Sequence, residues 1–393
     1  MNTVRAVAPS RLLLLWLLLS IAACRASSDA TGQAEAHTEA KAERPRPSGP
    51  SEGGSSGRHV SIVLSSNNRG EIDVCGCVNR PMGGLARRAG ALGTLKDTPR
   101  LVLDAGEALF PSPEPPTDDD RTRAQAIVEA MATMDYAAMG VGPRDLADGG
   151  ALLRKAPFPV LSANLLDPQG HPAFAATQVV EVGGLRFGLL GLSTADPTEA
   201  EARAYLRAKL TADDPVRAAA RWVPKLAPKV DRVVVLGTLS PPEARRVASA
   251  VPGIDLMLVA RSGRFTTAGE RVGSTLIYEA GSKGQILLRL DLLYRGEGPL
   301  GDAVLQKQAE EALQAFDQRA QHLEARSGTE PGVERAIEEN RRQREEMAEK
   351  TRFDREAPGG LLTPIAIPLD ELVPADEALA QRVAALPPVP KKR

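Results

Sequence analysis

The chain has 393 residues with 49 Lys or Arg and 50 Asp or Glu, so its formal net charge is −1. A near-neutral chain without a basic block argues against nucleic acid as a partner, because neutralising phosphates requires clustered Lys and Arg. The four histidines stand singly at positions 37, 59, 171 and 322, which argues against a haem or a histidine-rich zinc site.

Residues 1–23 have the features of an export signal. Two arginines precede an apolar run over 12–21, and this run is too short for a typical membrane-spanning helix. The sequence Ile-Ala-Ala-Cys at 21–24 resembles the lipobox of bacterial lipoproteins, and this resemblance implies cleavage before Cys24 and a diacylglycerol on its sulfur. The alternative is an ordinary signal peptide followed by an incidental cysteine.

Residues 24–58 begin with the cysteine and continue with Ser, Gly, Ala, Glu and Pro, with almost nothing to bury. This composition is typical of a disordered tether. Each buried CH₂ of an acyl chain contributes about 0.8 kcal/mol, so a multiply acylated Cys24 would anchor the protein without a spanning helix. We therefore expect a lipid-anchored protein of the bacterial cell envelope that faces the periplasm or the cell exterior.

From 59 to 296 short apolar, often β-branched runs alternate with amphipathic segments. The predicted strands are 60–64, 101–103, 136–140, 159–163, 185–192, 232–237, 255–260, 274–279 and 285–294. The predicted helices are 119–134, 146–155, 214–229 and 241–251, with a further helix starting near Leu85. The alternation predicts a layered α/β domain, and Val-Gly-Gly-Leu at 182–185 predicts a hairpin, so the sheets are expected to be mixed.

The region 301–356 predicts a helical hairpin. Its first half carries apolar residues four and three positions apart, at Ala309, Leu313, Phe316, Ala320 and Leu323, which is a heptad pattern. The hairpin either packs on the domain or swings free, or else it binds a partner or dimerises through 301–353. The remaining residues, 357–393, are rich in proline and are predicted to form an extended or disordered tail.

The most informative stretch is 64–88, directly after the first predicted strand. It contains Cys75-Gly76-Cys77 and ends on Gly-Gly-Leu-Ala-Arg-Arg at 83–88. Domains of the α/β class place their ligands just beyond the carboxyl ends of strands. The stretch is therefore the first place to look for a functional site.

This stretch and four later phrases resemble the periplasmic 5′-nucleotidase and UDP-sugar hydrolase family of metallophosphoesterases. The later phrases are Leu-Asp-Ala-Gly-Glu at 103–107, Met-Gly at 139–140, Leu-Ser-Ala-Asn-Leu at 161–165 and Leu-Arg-Phe-Gly-Leu-Leu-Gly-Leu at 185–192. The resemblance covers about residues 60–294 and implies a calcineurin-like metallophosphoesterase sandwich, an α/β fold of mixed sheets flanked by helices. The cysteine pair makes the UshA-like (seleno)protein branch the closer resemblance, and 301–393 does not resemble the family's nucleotide-recognition domain.

The resemblance also identifies the positions at which the family binds two divalent metals. In chain order they are Asn67, Arg69, Glu107, Val141, Gly142, Thr238 (approximately), Arg261 and Gly263. Of these residues Glu107 alone keeps a group suited to a divalent cation, whereas two positions carry arginine. We therefore predict no metal site and no cofactor, and expect two-metal hydrolysis to be lost.

The two arginines at these positions allow two interpretations. If Arg69 and Arg261 both face the cleft, they could bind an oxyanion or a phosphate through bidentate hydrogen bonds without metal. Alternatively they form structural salt bridges with Glu107 and Asp145, which is the interpretation that we favour from the sequence.

Cys75 and Cys77 are the strongest remaining feature. Gly76 between them permits backbone angles that bring the two cysteines within disulfide range, and strain in so small a ring would make the disulfide labile or oxidising. The pair is our candidate for thiol-disulfide catalysis with a redox partner protein. A structural disulfide, a soft-ligand metal site and an inert pair are the alternatives.

The sequence therefore favours an envelope lipoprotein whose metal-free, 5′-nucleotidase-like domain carries a Cys-Gly-Cys redox pair. One alternative is a phosphoester (nucleotide) hydrolase with an atypical site that uses Glu107 and divalent ions. Another is a non-catalytic binding or scaffold lipoprotein that uses the 301–353 helices.

Overall fold

The computed structural model describes residues 57–75 and 81–388. The predictions for the signal peptide 1–23, for lipidation of Cys24, for nearly all of the tether and for Cys77 lie outside the described residues, as does the side chain of Cys75. Within the described parts of the chain, no helix is both long enough and apolar enough to cross a bilayer.

The secondary structure alternates strands and helices along most of the chain. The strands are β1 (Arg58–Ser65), β2 (Val74–Cys75), β3 (Met82–Gly83), β4 (Arg100–Asp104), β5 (Tyr136–Gly140), β6 (Val160–Leu161), β7 (Leu165–Leu166), β8 (Thr177–Val182), β9 (Leu185–Ser193), β10 (Thr211–Ala212), β11 (Arg232–Thr238), β12 (Leu256–Val259), β13 (Glu270–Val272), β14 (Thr275–Glu279), β15 (Ile286–Tyr294), β16 (Leu300–Asp302) and β17 (Gly360–Pro368). The helices are α1 (Leu85–Gly93), α2 (Asp118–Thr133), α3 (Glu199–Ala208), α4 (Pro215–Leu226), α5 (Pro241–Ala250), α6 (Ala303–Glu324), α7 (Val333–Lys350), α8 (Arg352–Glu356) and α9 (Glu377–Ala384).

Two mixed sheets form the centre of the domain. The first has the order β16-β17-β15-β1-β4-β5-β6, and the second has the order β13-β14-β12-β11-β9-β8. In the first sheet β1, β4, β5 and β6 run parallel, while β15 is antiparallel to β1. In the second sheet β8 and β9 form the predicted hairpin, with Val182 opposite Leu185.

Alternation of side chains along the strands produces a four-layered sandwich. On β1, Ile62 and Leu64 face the cluster shared by the two sheets, whereas Val63 faces the helices outside the first sheet. On β11, Leu236 faces the same shared cluster and Val235 packs toward α4 and α5. Because successive side chains point to opposite faces, each central strand contributes to two apolar layers. The predicted fold class, mixed sheets flanked by helices, is confirmed.

One predicted helix is replaced by irregular structure. The segment 146–155 contains two single 3₁₀ turns, Arg144–Leu146 and Leu153–Lys155. Gly149 and Gly150 lie between them with φ of 79° and 76°, values that no right-handed helix contains. Helix α3 was not predicted, although Thr198 and Glu201 form a capping box at its start, a recognisable start signal.

The predicted helical hairpin is present as α6 and α7. Ala309 is buried, and the other residues of the heptad pattern are half-buried. Asn340 Nδ2 donates to the Phe316 carbonyl oxygen at 3.0 Å, and Asp317 pairs with Arg344. Both contacts join the two helices, so the hairpin is held by polar as well as apolar contacts.

The C-terminal segment differs from the predicted tail. Strand β17 pairs with β15 along its whole length, from Gly360 opposite Tyr294 to Pro368 opposite Ile286, and α9 follows it. The sheet therefore extends beyond the predicted domain boundary at 296. The two prolines of β17 lie beyond the part paired with β16, where the strand is an edge and a missing N–H is tolerated.

The incorporation of β17 predicts a measurable loss of stability on truncating its buried side chain. Leu362 is fully buried in the shared cluster, whereas Leu372 is 86% exposed. We expect Leu362→Ala to lower the free energy of unfolding in urea by about 2–5 kcal/mol through lost burial and a cavity. Leu372→Ala is the control and should change it by less than about 0.5 kcal/mol. If both substitutions have equally negligible effects, residues 357–393 form an extended tail and not part of the sheet.

Candidate functional site

Asn67 joins the loop after β1 to three other loops by hydrogen bonds. This residue is fully buried, and its backbone N–H donates to the Gly106 carbonyl oxygen at 3.0 Å. Its side-chain Nδ2 donates to the Gly281 carbonyl oxygen at 3.2 Å, and its Oδ1 accepts from the Arg261 N–H at 3.0 Å. Both ends of the amide are therefore engaged within the protein, at a position where the resemblance implied a metal ligand.

Glu107 lies at the centre of the site. Its carboxylate is fully buried, and Oε2 accepts a hydrogen bond from Arg144 Nη1. The other oxygen, Oε1, has no partner among the described residues. A Cβ on Gly142 would lie 2.3 Å from Oε1, so glycine at this position leaves room for the carboxylate.

Asp145 fixes the backbone around Glu107. Its two carboxylate oxygens accept from four backbone N–H groups, those of Glu107 at 2.7 Å, Ala108 at 2.8 Å, Leu109 at 3.0 Å and Gly142 at 2.9 Å. Burial, together with the nearby negative charge of Glu107, raises the pKa of Asp145 to about 7 against these donors. Asp145 therefore joins the loop after β4 to the loop after β5.

The Val141 and Thr238 positions connect the two sheets. Thr238 Oγ1 and Ser193 Oγ both donate to the Val141 carbonyl oxygen, at 2.7 and 2.8 Å. Thr238 ends β11 and Ser193 ends β9, whereas Val141 follows β5. These groups therefore serve the packing of one sheet on the other.

Arg261 enters the site from the loop after β12. Its Nη2 donates to the Asp196 carbonyl oxygen and to Glu201 Oε2, each at 3.0 Å. Its Nη1 is buried without a hydrogen-bond partner in the described structure. Arg261 is thus anchored on one side and retains an unused donor on the other.

Arg69 is a half-buried cation whose guanidinium donates no hydrogen bond to the described residues. A Cβ on Gly263 would lie 3.5 Å from Arg69 Nη2, so its guanidinium lies against the loop that carries Arg261. Burial lowers the pKa of Arg69, the positive charge of Arg144 lowers it further, and Glu107 acts in the opposite direction.

The eight positions identified from the sequence thus come together at the edge of the two sheets. The favoured salt bridges are wrong in their partners, because Arg144 pairs with Glu107 and Arg261 pairs with Glu201, while Asp145 accepts backbone N–H groups. Sequence reasoning missed Arg144, because nothing in a single sequence shows that it contacts a residue 37 positions earlier.

The backbone at the site is unusual. Half of the eight described non-glycine residues with positive φ belong to it: Asn67 at 50°, Arg69 at 57°, Glu107 at 62° and Arg261 at 104°. Such angles cost of order 1–3 kcal/mol each and cluster at functional sites. Strained loops of this kind are typical of active sites, although the side chains here differ from those that bind metals in the family that the sequence resembles.

The donor set does not fit two divalent cations. Within the described residues no group of three or more His, Cys, Asp or Glu side chains could hold a metal ion. Glu107 offers one free oxygen, Arg144 is bonded to its other oxygen, and the positive charge of Arg69 lies close enough to interact with both. Hard cations such as Mg²⁺ need several oxygen ligands, and like charges at such range repel strongly in a buried site.

The Cys-Gly-Cys sequence follows the same loop. Strand β2 pairs antiparallel with β3, with Cys75 opposite Met82 and Val74 opposite Gly83. Cys77 therefore belongs to the connection between these two strands, which is outside the described residues. Asp73 is exposed and its Oδ1 accepts from the Val74 N–H at 2.7 Å. Arg87 Nη1 donates to the Pro81 carbonyl oxygen at 2.9 Å, so both charged residues have hydrogen-bond partners.

Two cavities, of about 180 and 250 Å³, lie elsewhere on the domain. The first is lined by α2 and the 148–155 segment, and the second lies between α2 and α9 with Leu85 of α1. Neither includes any of the eight positions.

Comparison with known proteins identifies the architecture. No family model matches the chain. The snake venom 5′-nucleotidase of Crotalus adamanteus is 26% identical over 226 residues, which are 54% of this chain and 36% of that protein. The crystal structure of a 5′-nucleotidase precursor from Thermus thermophilus has a TM-score of 0.57 at 19% identity, over 84% of this chain and 58% of that one.

A third similarity extends the comparison to a shorter protein. The calcineurin-like phosphoesterase YfkN of Bacillus subtilis matches with a TM-score of 0.50 at 16% identity, over 60% of this chain and 85% of that one. The chain spans only about 36–40% of the length of the snake venom relatives that it matches. The fold is that of the calcineurin-like phosphoesterases and 5′-nucleotidases, as predicted, and the similarities indicate a 5′-nucleotidase-like phosphoesterase domain.

The contact between Gly142 and Glu107 predicts a specific sensitivity to one methyl group. We expect Gly142→Ala to lower the free energy of unfolding by about 1–3 kcal/mol, because the new Cβ would displace the Glu107 carboxylate. Gly93→Ala is the matched control, since Gly93 ends α1 and no atom lies within 4 Å of the added Cβ. Gly93→Ala should raise the free energy of unfolding by at most about 1 kcal/mol. Equal responses in urea titrations would refute the placement of Glu107.

Proposed function

We propose that this chain is a lipid-anchored protein of the bacterial cell envelope whose 5′-nucleotidase-like domain works without metals. The observation that carries the proposal is the pairing of Glu107 with Arg144. A divalent cation at the free Oε1 would have to lie beside the guanidinium bonded to Oε2 and near that of Arg69. The family that the sequence resembles uses two metals to activate water and to hold phosphate, and this side-chain set supplies neither role.

We assign the reactive chemistry to Cys75 and Cys77, as in the UshA-like (seleno)protein branch that the sequence resembles. In the reduced form, one thiolate attacks a disulfide sulfur of a partner protein, and the partner's other sulfur leaves as a thiolate. The second cysteine then attacks the mixed disulfide. Two electrons pass to the partner, which becomes a dithiol after protonation, and the pair becomes a disulfide. The reverse sequence oxidises a partner dithiol.

Envelope anchoring through Cys24 is part of the same proposal. The lipobox-like sequence at 21–24 and the composition of 24–58 support it, and the exported compartment is one in which a disulfide persists. Lipidation of Cys24 also leaves Cys75 and Cys77 as an even pair. The tether would then hold the redox pair away from the membrane and within reach of a soluble partner.

The redox role predicts the reduction potential of the cysteine pair. We expect a midpoint near −120 to −200 mV, roughly the range of working disulfide oxidants. The measurement is thiol alkylation and mass spectrometry of the full chain across a glutathione series, in a Cys24→Ser background that removes the third thiol. A midpoint below about −300 mV would identify a structural disulfide and contradict the proposal.

A second candidate function is phosphoester hydrolysis with an atypical site. The observation in its favour is Glu107 Oε1, which is buried and without a partner among the described residues. An oxygen in this state could accept a proton or a metal ion.

We expect no turnover of AMP or of p-nitrophenyl phosphate by the full chain, with or without added Mg²⁺, Mn²⁺ or Zn²⁺. The physical reason is that the described site offers a divalent cation one unpaired carboxylate oxygen, Glu107 Oε1, whereas such cations need several oxygen ligands. A metal-dependent 5′-nucleotidase assayed alongside checks the reagents. Metal-dependent turnover that disappears in Glu107→Gln would establish the second candidate in place of the first.

A further inference from the structure

We propose that Arg69 and Arg261 form a metal-independent binding site for a tetrahedral oxyanion, a phosphate or sulfate group that is free or carried as an ester. The proposal rests on the metal-free character proposed for the cleft but not on the cysteine pair. It concerns the same edge of the two sheets at which the eight positions meet.

The first step is that the two arginines are brought together by interlocking loops. The Arg261 N–H donates to Asn67 Oδ1, two residues before Arg69. In return, Arg69 Nη2 lies 3.5 Å from the Cβ position of Gly263, two residues after Arg261. At this distance an added Cβ would make only an ordinary van der Waals contact, so the Arg69 guanidinium lies against the loop that carries Arg261.

The second step is that both arginines have unused donors. Arg69 Nε and Arg261 Nη1 are buried, and neither meets an acceptor in the described residues. A buried donor without a partner is uncommon in native proteins and costs about 1–3 kcal/mol, and more when it is charged. An oxyanion between the two guanidiniums would satisfy both donors by charge-assisted hydrogen bonds.

The third step concerns charge. Arg144 neutralises Glu107, and Arg261 is paired with Glu201. The carboxylate of Asp145 is occupied by backbone N–H groups. Arg69 is left as a cation without a bonded carboxylate among the described residues, and the lowered pKa of its guanidinium reflects burial and repulsion by Arg144. A bound anion would relieve that repulsion.

The fourth step is preorganisation. The Arg69 N–H donates to the Glu107 carbonyl oxygen at 3.0 Å, and the Arg261 N–H is held by Asn67, so both backbones are fixed at positive φ. Ser282 lies beside them, its Oγ 3.7 Å from the Cβ position of Gly263. Fixed donors lose little conformational entropy when a ligand binds.

The number of donors favours a tetrahedral anion over a carboxylate. The unused donors, Arg69 Nε and Arg261 Nη1, belong to two separate guanidiniums. The tetrahedrally arranged oxygens of one phosphate or sulfate group can accept from both, whereas a carboxylate has two oxygens in one plane. Inorganic phosphate, sulfate and acetate therefore make a discriminating set of probes. Phenyl phosphate tests whether the anion is accepted as an ester.

The test is isothermal titration calorimetry of the full chain in detergent and EDTA. We expect inorganic phosphate and sulfate to bind at least about tenfold more tightly than acetate, a difference of about 1.4 kcal/mol. Arg69→Met should weaken phosphate binding by at least about tenfold. It removes no hydrogen bond found in the described structure, so this variant should fold normally. Arg245→Met, which removes an exposed arginine paired with Glu270, is the control and should bind normally.

The outcomes separate this proposal from the metal-free function. Phosphate binding without metal that is lost in Arg69→Met supports it, and equal binding of phenyl phosphate shows that the site also accepts the anion as an ester. If phosphate does not bind, or binds equally to Arg69→Met, the proposal is overturned. Neither result bears on the proposed cysteine chemistry. Binding that appears only after Mn²⁺ is added overturns both this proposal and the metal-free character of the cleft.

Discussion

The ion pair between Glu107 and Arg144 is the interaction on which the site depends. Glu107 is fully buried, and an ionised carboxylate taken out of water costs several kcal/mol unless a cation compensates it. In the metallophosphoesterases that the sequence resembles, two metal ions provide that compensation. Here the guanidinium of Arg144 provides it. Arg144 lies in the loop after β5, and Asp145 fixes the backbone of that loop by hydrogen bonds. The buried carboxylate is therefore compensated within the protein, by Arg144.

The shape of the site and its chemistry depend on different atoms, so the chemistry can change while the shape is kept. Asn67 and Asp145 bind backbone groups of neighbouring loops, and the hydroxyl of Thr238 joins the two sheets. These contacts do not need a metal. The strained loops can therefore persist while Arg69 and Arg261 introduce positive charge that suits an anionic ligand.

Most of the central strands could be predicted from the sequence because they depend on local pattern, and the eight positions were identified through the family resemblance. The segment 146–155 has helical spacing, but Gly149 and Gly150, which are visible in the sequence, break it. The other unpredicted features depend on contacts between distant residues. The two prolines of β17 argue against a strand when the sequence is read alone, because only an edge position tolerates them. The pairing of Glu107 with Arg144 forms only when the chain folds, and no local pattern indicates it.

The account is tested most directly by the metal content of the full chain, purified without chelator and measured by inductively coupled plasma mass spectrometry. A Cys75→Ser/Cys77→Ser variant, measured alongside, excludes metal held by thiolates. If Arg144 has replaced the metals beside Glu107, both proteins should contain far less than one equivalent of Mn, Fe, Co or Zn per chain. One or two tightly held equivalents in the variant would contradict the account.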